Sequence, residues 1–250
     1  MEFTPPDDTT GGSVDLIYDR KNELKRPFVV NIDQLAVVVS VKDPRPDFVL
    51  VDKMIVYGRE LDVPILLILN KIDLNGDFTD IIDEYSGSGI DILAVSSVEH
   101  EGIDALKERL KGRITCFSGQ SAVGKSTLLN AVGMDINAKT GELSSKTMRG
   151  RHTTRHTELF RIDDIDAYIM DTPGFSALES MDTEPEDLKE YYPEFLGLEG
   201  KCRFDGCVHI NEPDCIVKDA VKRGEIPMGR YERYKNIYDE LVERRNNRYV

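Results

Sequence analysis

The stretch Gly119-Gln120-Ser121-Ala122-Val123-Gly124-Lys125-Ser126, followed by Thr127, matches the phosphate-binding pattern G-x-x-x-x-G-K-[ST] without a mismatch. Its glycines let the backbone wrap a phosphate. Loop N–H groups and the start of the following helix supply partial positive charge. Lys125 is placed to reach the β- and γ-phosphates, and the Ser126 hydroxyl to ligate Mg²⁺. The apolar run Ile114–Phe117 before the loop reads as a buried strand, and Thr127–Val132 after it reads as a helix. That strand–loop–helix context is what the pattern requires. It indicates a nucleotide without saying which one.

Three further clusters share that ligand. Asn70-Lys71-Ile72-Asp73 ends a second apolar run and fits N-K-x-D. There the Asp73 carboxylate accepts from guanine N1–H and the exocyclic amino group, a donor pair adenine does not offer. Asn70 holds the loop and faces the base edge, and the Lys71 stem covers a ring face. A buried carboxylate built for two donors rejects a base lacking them, because it would be left unpaired. Ser96-Ser97, at the end of a third strand, is placed to support the base from its other side. Asp171-Thr172-Pro173-Gly174 fits D-x-x-G, a carboxylate near Mg²⁺ and a Gly174 N–H near the γ-phosphate. Gly150-Arg151-His152-Thr153-Thr154 lies in a basic loop, where Thr153 or Thr154 can complete the Mg²⁺ shell when γ-phosphate is present. Together these motifs imply guanine-nucleotide hydrolysis. Their order is unusual, with the guanine motif 49 residues ahead of the phosphate loop instead of after it. A site closed in space does not depend on where the chain is cut, so the order implies a circular permutation.

Phe175 follows Gly174, where common small GTPases place a water-orienting Gln. Another polar group must then orient water, and His152 is the candidate. A second chemistry sits near the C-terminus, where Cys202-x4-Cys207-x-His209-x5-Cys215 offers three thiolates and an imidazole. That set is the closed tetrahedral arrangement of a structural zinc. Cys116, inside the strand before the phosphate loop, reads as a small core residue.

The elements that must hold these residues follow from the hydrophobic pattern. Leu35–Val41 and Ile65–Leu69 are continuous apolar runs, expected of strands buried on both faces. Helices are expected at Phe48–Leu61, Phe78–Tyr85 and 102–111, and a strand at Ile90–Val95. Strands alternating with helices predict an α/β fold, a parallel sheet covered on both faces. Past the loop, Thr157–Ile162 and Ala167–Met170 read as a strand pair. Pro185–Tyr192, Cys215–Arg223 and Met228–Arg245 read as helices. Three segments result: 1–26, too short for its own core; 27–198, carrying the nucleotide motifs; and 199–250, carrying the metal ligands.

The net charge of −14 is unevenly spread. Asp163–Glu199 holds 12 acidic residues and one Lys, whereas Lys139–Arg161 holds six basic residues and two acidic. Local patches decide binding, so the acidic total does not exclude an RNA partner. No apolar run approaches a membrane span and the start does not resemble a signal peptide, so a cytoplasmic protein is expected. Four cysteines in such a compartment favour metal or burial over disulfides.

The permuted order of these motifs, followed by C-x4-C-x-H-x5-C, resembles the bacterial small-ribosomal-subunit-dependent GTPase family (RsgA, also called YjeQ). The likeness runs from about Arg20 to Val250, including Arg20-Lys21-Asn22-Glu23-Leu24 and the Arg223-Gly224-Glu225-Ile226 turn. It implies a monomeric cytoplasmic GTPase with GTP, GDP and Mg²⁺ at one site and one structural zinc at another. It also implies binding to the small ribosomal subunit and its rRNA, help in that subunit's late maturation, and faster hydrolysis when bound. The family begins with a five-stranded OB-fold. Here Glu2–Pro5 and Val14–Arg20 resemble only its last strands. A rival reading of the same residues is a zinc-stapled RNA-binding module whose nucleotide site switches shape with little turnover.

Overall fold

A computed structural model of the chain describes residues 2–5, 12–25, 28–74, 77–134, 158–171, 181–198 and 200–247. Two short antiparallel pairs open the described chain. β1 (Glu2–Thr4) pairs with β2 (Ser13–Leu16), and β3 (Glu23–Lys25) pairs with β4 (Phe28–Val30). The first pair is exposed along β2, whereas the second buries Leu24 and Val29 in the main core.

The main sheet has six strands in the order β7–β6–β5–β8–β10–β9. These are β5 (Gln34–Ser40), β6 (Ile65–Asn70), β7 (Asp91–Val95), β8 (Ile114–Ser118), β9 (Glu158–Ile162) and β10 (Ala167–Asp171). All pairings are parallel except β9 with β10. Every residue of β5 and β6 is buried, as their unbroken apolar runs require. Because strand side chains alternate, one run serves two cores. Leu35, Val37, Val39, Leu67 and Leu69 face one cluster, and Ala36, Val38, Leu66 and Ile68 face the other.

Connection handedness decides which helix covers which face. From β5 the chain steps to β6 through α1 (Phe48–Glu60) and to β7 through α2 (Thr79–Tyr85), both on the first face. It then reverses. Helices α3 (Ile103–Leu110) and α4 (Lys125–Ala131) pack on the second face with Ile103, Leu106, Leu128 and Leu129. The reversal puts β5 beside β8, so the carboxyl ends of those two strands border the crevice where open α/β sheets bind ligands.

After Met181 a 3₁₀ turn spans Pro185–Tyr191, where an α-helix is expected from the sequence. Pro193 directly after Tyr192 pushes Tyr192 out of the helical region, and the segment closes in tight i→i+3 turns before the chain restarts as α5 (Pro193–Leu196). Helices α6 (Ile216–Lys222) and α7 (Met228–Asn247) complete the first face. Val217, Tyr231, Tyr234, Ile237 and Leu241 belong to the same core cluster as α1 and β5.

A buried charge network joins α7 to that face. Asp52, fully buried on α1, accepts from Arg233 at 2.6 Å and pairs with Arg230 at 2.6 Å. Arg230 also donates to Glu194 at 2.7 Å and lies over the Tyr192 ring, and Arg233 donates to Glu84 at 2.8 Å. Burial alone would lower the Arg230 pKa; the carboxylates of Asp52 and Glu194 help overrule it and the pKa is raised. The signals were a lone Asp inside the apolar stretch of α1 and two Arg at i, i+3 spacing on α7.

Candidate functional sites

The nucleotide loop leaves β8 at Ser118, and two of its glycines are forced by close approach. Gly119 has φ +148°, and a Cβ there would lie 2.2 Å from the Val38 carbonyl oxygen on neighbouring β5. Gly124 has φ +91°, and a Cβ there would lie 2.6 Å from the Asn70 side-chain nitrogen. The second contact explains how two motifs far apart in sequence share a site. Asn70, completely buried, donates from Nδ2 to the Val123 carbonyl at 2.9 Å. Lys71 donates from Nζ to the Ala122 carbonyl at 2.8 Å and to the Asp43 carbonyl at 2.5 Å. The N-K-x-D turn is thereby fastened directly onto the phosphate loop.

Ser96 and Ser97 act through that turn. The Ser96 hydroxyl donates to Asp73 Oδ1 at 2.6 Å, and the Ser97 hydroxyl donates to Asn70 Oδ1 at 2.7 Å. Both serines are buried. Asp73 itself is exposed. Lys125 folds back to the Gly119 and Gln120 carbonyls at 2.7 and 3.2 Å. Ser126 and Thr127 are exposed in the same cleft of about 450 Å³, which Lys71, Gln120, Ser121, Ala122 and Gly124 also line.

Two contacts here had no sequence signal. Gln120 accepts from the Asp47 N–H at 3.2 Å, and Asp47 caps α1 by accepting from Leu50 N at 3.0 Å. Asp43 contributes only its carbonyl, which any residue could supply.

Asp171 is the last residue of β10 and pairs with Phe117, two residues before Gly119. The D-x-x-G motif therefore starts one strand over from the phosphate loop. The Asp171 side chain, Thr172–Phe175 and Gly150–Thr154, including His152, lie outside the described residues.

The cysteine cluster is drawn together as its spacing anticipates. His209 Nδ1 lies 3.3 Å from Cys215 Sγ, 3.4 Å from Cys207 Sγ and 3.7 Å from Cys202 Sγ, and the Cys202 and Cys215 sulfurs are 3.9 Å apart. A tetrahedral ion at about 2.3 Å from sulfur and about 2.0 Å from nitrogen sets ligand–ligand edges of about 3.5–3.8 Å. The donor set and its size fit zinc. Without an ion, burial pushes the Cys207 thiol up to about 12 and raises Cys215 as well. The surrounding shell was not visible in the sequence. Glu212 accepts from Val208 N and Ile210 N at 2.7 and 3.0 Å, and Tyr231 and Tyr234 donate to the His209 and Val208 carbonyls at 2.7 and 2.6 Å.

The model of the RsgA GTPase family matches residues 17–181. This chain belongs to the RsgA GTPase family. It is 46% identical over 233 residues to the small ribosomal subunit biogenesis GTPase RsgA of Ruminiclostridium cellulolyticum, covering 93% of this chain and 76% of that protein. The protein of the same name from Thermotoga maritima is 40% identical over 250 residues, covering 98% and 83%. Among solved structures, YjeQ from Thermotoga maritima superposes with a TM-score of 0.77 at 38% identity, covering 96% of this chain and 82% of that one. YloQ, described as a circularly permuted GTPase, gives 0.75 at 32% identity, covering 96% and 78%. The chain is thus a GTPase with the permuted order, and among the described residues no helix is long and apolar enough to cross a membrane.

Proposed function

We propose that this RsgA-family GTPase binds GTP with Mg²⁺ across the phosphate loop and the guanine-reading turn, and hydrolyses it in the service of late maturation of the small ribosomal subunit. The observation that carries the nucleotide half is the fastening of Asn70 and Lys71 to the Val123 and Ala122 carbonyls, with Lys71 lining the same cleft as the phosphate loop. Asp73 reads the base from a carboxylate oriented by Ser96. Lys125 and the loop N–H groups from Gly119 to Thr127 take the phosphates. Ser126 holds Mg²⁺, with Asp171 and Thr153 or Thr154 completing its surroundings and the Gly174 N–H meeting the γ-phosphate. His152 orients the attacking water in place of the residue that Phe175 replaces. Mg²⁺ supplies charge neutralisation at the transferring phosphoryl group.

The ribosomal half rests on the relatives, which bear the name small ribosomal subunit biogenesis GTPase. We assign the rRNA contact to the basic stretch Lys139–Arg161 and the C-terminal helices, a monomeric cytoplasmic state, and one structural zinc at Cys202, Cys207, His209 and Cys215. The organisation follows as a β segment over 1–26, a GTPase unit over 27–198 and a zinc unit over 199–250. Co-sedimentation with each ribosomal subunit and a non-hydrolysable GTP analogue tests the partner. Association with the small subunit is expected, and association with the large subunit alone removes the proposal. Phe175 favours one second reading, a nucleotide switch with little turnover. Multiple-turnover phosphate release that stays at the basal rate with small subunits present would select it.

A further inference from the structure

Residues 41–47 join the carboxyl end of β5 to α1 without regular secondary structure, and the nucleotide site holds them in place. The Val41 N–H donates to the Asn70 carbonyl at 3.0 Å. Lys71 Nζ and the Ser40 hydroxyl both donate to the Asp43 carbonyl, at 2.5 and 2.9 Å. The Asp47 N–H donates to Gln120 Oε1 at 3.2 Å, while its carboxylate accepts from Leu50 N at 3.0 Å. Pro44 and Pro46 fix φ near about −65° on either side of Arg45, and a residue before proline is itself pushed to extended backbone. Little backbone freedom is left to the loop.

This stiff loop presents two exposed cations, Lys42 and Arg45. Every other arginine of the described residues donates to a carboxylate, a carbonyl or an amide oxygen. Arg45 alone has no hydrogen bond, ion pair or ring contact to any described residue. Its neighbour Asp47 is committed to capping α1. Neither Lys42 nor Arg45 lines the nucleotide cleft, although the loop is tied to Gln120 and Lys71, which do. Both cations therefore stand at the rim, available to a ligand outside the cleft. A guanidinium offers a planar fork that matches two phosphate oxygens. Holding it on a stiff backbone reduces the ordering entropy lost when a partner binds.

We propose that Arg45, with Lys42 beside it, is a docking point for an RNA backbone phosphate at the rim of the nucleotide cleft. The inference rests on the ribosomal reading above and adds a contact outside the basic stretch and the C-terminal helices. Asp43 is exposed on the same loop, so the site is a single forked contact and not a broad basic patch. Each phosphate neutralised by a cation contributes a fixed increment to the salt dependence of binding, and that increment is the signature to look for.

The test measures the affinity of the full chain for small ribosomal subunits, with a non-hydrolysable GTP analogue, across a salt series. Arg45→Ala, Arg45→Lys and the double variant Lys42→Ala/Arg45→Ala are compared with the parent, and GDP affinity is measured for each. Arg45→Ala is expected to reduce the slope of log affinity against log salt by about 0.7–0.9, which is roughly a fivefold to eightfold weakening at 0.1 M salt. Arg45→Lys should keep the slope and lose less affinity, and the double variant should lose a further increment. GDP affinity should stay within about twofold, since neither side chain reaches the cleft. A photo-crosslinker attached through Arg45→Cys should mark rRNA. An unchanged affinity and slope in the double variant, with the parent binding, overturns this inference alone. Marking of ribosomal protein without RNA overturns it as well. A loss of GDP affinity in Arg45→Ala overturns it by assigning the guanidinium to the bound nucleotide. If the parent does not bind small subunits at any salt, the ribosomal reading fails and this inference with it.

Discussion

The nucleotide cleft and the metal knuckle are both small loops that present polar groups to one ligand, and they are built in opposite ways. Around the knuckle, Cys207, His209 and Cys215 are buried, and backbone groups of the loop are taken up by Glu212, Tyr231, Tyr234 and Lys189. Around the nucleotide loop, Ser121, Ala122, Ser126, Thr127 and Asp73 are exposed, and the loop is tied from behind by Asn70, Lys71 and Gln120. A structural ion never leaves, so its ligands can be sealed. A nucleotide must enter and depart each cycle, so its loop is fixed from behind, while the side facing the cleft stays open.

The difference predicts opposite responses to ligand removal, and the metal gives the largest effect. Stripping zinc should melt the knuckle, since structural zinc contributes on the order of 10 kcal/mol to folding in small zinc units. GDP should still bind to the cleft. Because burial holds the Cys207 and Cys215 thiols protonated in the metal-free state, refilling should release protons, and metal affinity should fall as pH falls. Circular dichroism and an indicator dye during zinc titration check both. GDP binding lost together with zinc would show that the two regions are not independent.

Next in size is the base reader. If Asp73 reads guanine as proposed, Asp73→Asn removes a carboxylate that would take two donors, each charge-assisted bond contributing about 1.5–3 kcal/mol. GTP affinity should fall roughly a hundredfold or more, and xanthosine triphosphate should gain, because its exocyclic oxygen wants a donor. Competition titrations measure the switch, and the knuckle should keep its zinc.

Asp52→Ala attacks the joint between the regions. It leaves Arg230 and Arg233 buried with a carboxylate missing, and breaking a buried pair costs about 3–5 kcal/mol. Urea denaturation should show that loss, with α7 released from α1. If stability drops by less than about 1 kcal/mol, the joint is not what holds the C-terminal helix.

How much of this was legible in the sequence follows the same division. Phosphate loop, N-K-x-D and cysteine spacing were readable because side-chain identity carries their chemistry at fixed short intervals. The sheet was readable because β5 and β6 must be apolar on both faces. What stayed hidden is what works through backbone atoms or long separations. The Asp43 carbonyl under Lys71 has no residue signature, and Ser96 on Asp73 is a contact only folding creates. The segment Pro185–Tyr191 carried a helix-like pattern but closes as 3₁₀ turns ahead of Pro193.

The smallest effect is expected at Gln120, and it sharpens the comparison most. Its side chain accepts from the Asp47 N–H, tying the phosphate loop to the first turn of α1. Gln120→Ala leaves that N–H without its partner, at a cost of about 1 kcal/mol for a neutral hydrogen bond. Since loop backbone N–H groups and Lys125 grip the phosphate, GDP affinity should change less than about threefold in equilibrium titration, close to 0.6 kcal/mol. The matching change at the knuckle, Tyr231→Phe, removes one donor from the buried His209 carbonyl. Leaving a buried acceptor unpaired costs about 1–3 kcal/mol, so Tyr231→Phe should destabilise more than Gln120→Ala although each deletes one hydrogen bond. Paired urea curves decide it. Equal losses would mean that the cleft is as sealed behind its loop as the knuckle is around its metal, and the contrast between an open and a closed site would reduce to their ligand-facing sides alone.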